Sequence, residues 1–217
     1  MVKKGTEKYI GRSKVKFIHD PHIYFILTIM GIVLYLVLDI IAQILPPHYN
    51  FITQAESDLA VGPYGYVMAV NFIIRGLLSL SFITGLIITF KSDRSRYNTG
   101  LILLGIWSVG ALILAFFPAD ITLPDTVHGI IHGITAIAVF LGGSLGILIL
   151  SIQMRTDNKF KDITKYALPL SIFSVISLAL STILVHIFGL IERIFLASIL
   201  LWMLIISIYL LNRKEIL

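Results

Sequence analysis

The chain has 217 residues, 57% of them hydrophobic and 13% charged, with no cysteine and a formal net charge of +5. Soluble domains carry about 25% charged side chains, so this composition, with a mean hydropathy of +0.94, leaves too little polar surface to cover a 24.2 kDa globule in water. A soluble enzyme, a disordered chain and a collagen-like fibre are excluded, as are a disulfide framework, a thiol redox pair and a thiolate metal site.

Crossing roughly 30 Å of hydrocarbon takes about 20 apolar residues in a helix. Six runs qualify in chain order: 24–45, 66–90, 99–117, 127–154, 166–188 and 191–211. They predict an all-α, polytopic transmembrane bundle of six helices. Residues 1–23 form a basic N-terminal tail and 212–217 a short C-terminal tail. Barrel strands would alternate apolar and polar residues, and a run such as Ile194-Phe195-Leu196-Ala197-Ser198-Ile199 does not. Pro21, Pro46, Pro47, Pro63, Pro118 and Pro124 fall in the connections, and Pro169 in the first turn of the fifth run, where its missing N–H costs little. The first run is too long for a signal-peptide core and ends at Pro46-Pro47-His48 without a small-residue cleavage site, so it reads as a retained signal anchor.

Charge gives an orientation. Fifteen of the seventeen Lys and Arg residues fall in the two tails and in the loops after the second and fourth runs. The opposite face has Arg193, and Arg75 lies inside a span. Basic residues concentrate in cytoplasmic loops, so both termini are expected in the cytoplasm of a multi-pass cell-membrane protein. The basic loops lack Walker-type or G-x-G-x-x-G patterns. They read as topology determinants that touch anionic lipid, with neither nucleotide nor nucleic acid as a partner.

On this orientation the polar membrane residues lie on the outer side: Asp39, Glu56, Ser57, Asp58, Asn71, Arg75, Asp120, His128, His132, His186, Glu192 and Arg193. A charge inside the bilayer costs at least about 2.5–3.5 kcal/mol on insertion scales and marks a functional site by default. Arg75 needs an anion, and Asp39, Asp58, Asp120 and Glu192 are the available ones. His128 and His132 are four apart on one helix face. That spacing suits zinc, with His186, Asp120 or Asp58 as a third ligand, although Gly129 stands where a zincin has glutamate. Gly129 with Gly133, and Gly142 with Gly146, have the spacing that lets membrane helices approach closely, which predicts a central fourth helix. The same faces, or the apolar helix over 194–211, offer a route to homo- or hetero-oligomers.

Taken in order, Glu56-Ser57-Asp58-Leu59-Ala60, Asn71-Phe72 with Arg75-Gly76-Leu77, Phe117-Pro118-Ala119-Asp120, His128-Gly129-Ile130-Ile131-His132 and Gly189-Leu190-Ile191-Glu192-Arg193 form a pattern. On it the chain resembles the six-helix prokaryotic membrane proteins catalogued as domain of unknown function 998. The resemblance implies six helices and no particular reaction. Carried over by position, it marks Ser57, Asp58, Asn71, Arg75, Asp120, His128, His132, Glu192 and Arg193. A weaker likeness is to the membrane hydrolases that include alkaline ceramidases, which use Ser, Asp and three His around zinc. Ser57, Asp120, His128, His132 and His186 have suitable chemistry, but the six helices depart from that family's seven.

Two functions follow as expectations. The first is a cofactor-free membrane protein whose outer polar pocket binds a lipid headgroup, a small solute or a partner protein. The alternative is a zinc-dependent intramembrane lipid or amide hydrolase using His128 and His132, with His186 or Asp120.

Overall fold

The computed structural model describes residues 20–91, 93–121 and 126–213. The basic tail expected to precede a signal anchor, Pro124 and Lys214 lie outside the described residues. Six long helices follow one another: α1 Pro21–Ile44, α2 Gly65–Thr89, α3 Arg94–Leu114, α4 Val127–Arg155, α5 Lys161–Ile183 and α6 Phe188–Leu211. Two 3-10 turns interrupt the connections, η1 Glu56–Ala60 between α1 and α2 and η2 Val185–Ile187 between α5 and α6. There are no strands among the described residues. Every helix is long and apolar enough to cross a membrane.

Local chemistry fixes several ends. The Asp20 carboxylate accepts from the His22 N–H at 3.0 Å, capping α1 with Pro21 in its first turn. Thr126 Oγ1 accepts from the Gly129 N–H at 3.2 Å and caps α4. Consecutive helices pack side by side, and α1 returns against α6 to close the ring. Connections alternate between two ends: the segments carrying η1 and η2 and the described residues 115–121 between α3 and α4 share one, and residues 90, 91, 93, 156–160 and 212–213 the other. We call these the loop end and the tail end.

Apolar side chains face outward as well as inward. On α1, Ile26, Met30, Val33, Val37 and Ile40 are all exposed, at the three- and four-residue spacing of one helix face. A face of this kind is solvated by lipid tails.

Three expectations need correction. Helices α3 and α5 begin about five residues before their apolar runs, because a helix continues into the headgroup layer, where hydropathy gives no signal. Pro169 therefore lies inside α5 rather than in its first turn. The fourth helix is not the most enclosed: a larger share of α6 than of α4 is buried. The small-residue reading of α4 holds for one glycine pair only. A Cβ on Gly142 would stand 2.8 Å from the Leu103 carbonyl oxygen, and one on Gly146 3.1 Å from the Leu104 nitrogen, so this pair seats α3 against α4. A Cβ on Gly133 would meet nothing within 4 Å, and one on Gly129 would meet the Asp120 carboxylate, not a neighbouring helix.

Candidate functional site

Arg75 is 1% exposed, in the half of α2 nearer the loop end. Its guanidinium carbon lies 4.9 Å from the ring centres of both Phe72 and Trp107, close enough for cation–π attraction. Trp107 is held there by its own hydrogen bond: its Nε1–H donates to Ser79 Oγ at 3.0 Å, and the Ser79 hydroxyl donates to the Arg75 carbonyl at 2.8 Å. The nearest anion is Glu56, whose Oε2 lies 3.6 Å from Arg75 Nη1, with both side chains 2% exposed. That is an ion pair longer than a hydrogen bond. Arg75 Nε is buried without a hydrogen-bond partner.

Glu56 opens η1, which folds into the bundle instead of lying over it. Its Oε1 accepts from the Tyr35 hydroxyl on α1, and its backbone N–H donates to Glu192 Oε2 on α6 at 2.7 Å. The segment is thus joined to α1, α2 and α6 by one residue. A second arginine secures its approach. Arg193 Nη1 donates to the carbonyls of Phe51 at 3.2 Å, Gln54 at 3.3 Å and Gly189 at 3.0 Å, and Nη2 donates to the Tyr49 hydroxyl. Tyr49 in turn donates to the Ala55 carbonyl at 2.8 Å. Burial pushes the Tyr49 phenol up to about 12. Gly189 is required here: a Cβ on it would sit 2.0 Å from the Gln54 carbonyl oxygen.

Glu56, Ser57, Arg75, His132 and Glu192 surround one cavity of about 20 Å³, closed on its apolar side by Phe72, Leu114 and Phe140. A cavity of that size has room for about one water. His132 is buried, and its Nδ1 lies 2.7 Å from the Phe117 carbonyl. A carbonyl only accepts, so Nδ1 carries a proton.

The remaining marked residues are placed as follows. Asp58 closes η1 by accepting from the Ala55 N–H at 3.2 Å, and burial raises its carboxyl above the ordinary value of 3.8. Asn71 is buried one turn from Arg75, with Nδ2 3.9 Å from Met68 sulfur and Oδ1 unpartnered. Asp39 accepts from Gln43 Nε2 at 2.6 Å. Asp120 is exposed, and its Oδ1 accepts from the Thr126 hydroxyl at 2.9 Å, which fixes the entry to α4. His128 is exposed, with its ring 5.5 Å from that of Phe117. His186 is exposed in η2. Among the described residues no three His, Cys, Asp or Glu side chains converge as metal ligands.

Of the anions expected to answer Arg75, Glu192 lines the same cavity, but none of them makes the ion pair. Glu56 takes that place, and Tyr35 and Tyr49 join the network unannounced. The sequence does carry a sign of Glu56, inside Glu56-Ser57-Asp58-Leu59-Ala60, but nothing in that segment tells which of its two carboxylates turns inward. Nothing distinguishes Tyr35 from the apolar run around it.

The chain belongs to the family described as protein of unknown function (DUF998), which it matches over residues 29–209. No curated protein and no solved structure matches it.

Proposed function

We propose that this chain is a binding protein of the cell membrane, with both termini cytoplasmic, and that the chamber around Arg75 receives a small polar group from the outer leaflet. The observation that carries the reading is the under-satisfied guanidinium. Arg75 is buried and fixed by two aromatic rings, yet its Nε has no partner and its ion pair is long. A guanidinium offers five donors in a fork that fits phosphate or carboxylate. The same cavity is lined by the side chains of Glu56 and Glu192, whose carboxyl oxygens can accept hydrogen bonds from an ammonium. The chemistry is that of a zwitterion, whether the phosphoethanolamine end of a lipid or a free solute with the same two charges. A guest larger than water requires η1 to move outward. Its attachments to Glu192 and Arg193 are polar contacts that such a guest can replace.

The test is thermal unfolding of purified protein with free phosphoethanolamine, and in nanodiscs with or without phosphatidylethanolamine. Stabilisation by either, abolished in Arg75→Lys, supports the chamber and identifies the source. No stabilisation by either overturns it. The orientation rests on fifteen basic residues at one face, and the lack of native cysteine makes its test clean. Thr53→Cys is expected to react with an impermeant maleimide in intact cells and Lys159→Cys only after lysis. The reverse pattern overturns the orientation.

A further inference from the structure

A second feature lies at the tail end, away from the chamber. Between α5 and α6 runs a groove of about 600 Å³, lined by Ile163, Tyr166, Leu170, Leu201, Ile205 and Ile208, with Tyr209, Asn212 and Arg213 at its tail-end mouth. We propose that it holds one acyl chain of an anionic phospholipid, with the phosphate at the Arg213 end.

Length is the first argument. From Leu201 to Asn212 the groove follows α6 for about 16 Å at 1.5 Å per residue, which is about half of a hydrocarbon core roughly 30 Å thick. It is thus one leaflet deep. A partner helix would need an apolar seam through both leaflets, whereas an acyl chain needs only this one.

The second argument is the chemistry of that mouth. Arg213 stacks over Tyr209, with its guanidinium carbon 5.2 Å from the ring centre, and Lys165 Nζ lies 5.0 Å from the Tyr166 ring centre. Both tyrosines are groove-lining residues, so both cations stand at its mouth. Asp162 is the opposing charge, 2.7 Å from Arg213 Nη2. It neutralises one cation, while Lys161 and Lys165, exposed on the same turn, remain in excess. The Tyr209 hydroxyl donates to the Lys159 carbonyl at 2.8 Å, which holds the ring in place at the membrane surface. Amphipathic rings and basic residues at that depth are the usual setting of a phosphate headgroup.

The test is native mass spectrometry of the full-length protein in detergent, titrated with phosphatidylglycerol or phosphatidylcholine of the same chain length. One phosphatidylglycerol is expected to bind at least tenfold more tightly than phosphatidylcholine. The preference is expected to fall below threefold in Lys165→Gln/Arg213→Gln. Leu201→Trp, at a lipid-facing position, fills the groove without entering the core and is expected to lower binding of both lipids. Equal affinity for the two lipids in the wild type overturns the proposal. So does an unchanged preference in the double variant, or unchanged binding in Leu201→Trp, when thermal unfolding shows the variant folded.

Discussion

Arg75 and Glu56 face each other across 3.6 Å, each side chain 2% exposed. One lies on a membrane helix and the other in a connection that the fold turns inward. Both charges have left water, and the energetic consequences are large. Removing one partner of a buried pair leaves the other uncompensated and costs about 3–5 kcal/mol. Arg75→Met and Glu56→Gln are each expected to lower the unfolding free energy by that order. The double variant is expected to lose less than the sum of the two, with coupling of about 0.5–3 kcal/mol. Unfolding in detergent measures all three. Strict additivity would mean that the two groups do not interact.

Glycine positions separate close packing from mere permissiveness. Gly189→Ala drives a Cβ towards the backbone oxygens of Gln54 and Phe51, which cannot yield as a flexible side chain can. A loss of about 1–3 kcal/mol is expected, together with faster proteolysis in the 45–64 connection. Gly133→Ala meets open space. It is expected to be neutral or to gain up to about 1 kcal/mol from helix propensity. Equal effects at the two sites would contradict the placement of Gly189 against the loop.

Asp58 gives a pH signature outside the membrane spans. Burial raises its folded-state carboxyl above 3.8. Below that value the group is protonated in both states. As pH rises past it, the unfolded chain releases a proton that the folded chain keeps, so stability falls across the window up to the raised value. Asp58→Asn retains an acceptor for the Ala55 N–H and removes the titration. Its melting temperature relative to wild type is therefore expected to be higher at pH 7 than at pH 4. Parallel melting curves over that range would contradict this.

The helices were legible because the bilayer imposes one simple condition, about 20 apolar residues in a row, and each run meets it. Their ends were less so: Arg94 to Asn98 and Lys161 to Lys165 are helical despite their polarity, since the headgroup layer tolerates both helix and charge. At the site, charge sorting brought Arg75, His132 and Glu192 to one end of the bundle. It could not pair them. The partner of Arg75 depends on how the 45–64 connection folds back, and that path is set by Arg193 gripping backbone carbonyls, which have no signature in side-chain sequence. The three histidines show the same limit. Similar depth in the membrane is readable, but His128 and His186 turn to the surface while His132 turns in.

The most direct test of the chamber is carried by the Arg75 guanidinium itself. In protein labelled with nitrogen-15 at arginine, the Arg75 Nε–H resonance, assigned by its loss in Arg75→Lys, is followed during titration with phosphoethanolamine. The expected result is a saturable shift of that resonance at one equivalent, absent when ethanolamine alone is added. An Arg75 resonance that stays fixed while the exposed arginines Arg155 and Arg213 respond would contradict the proposal that this buried cation receives a ligand.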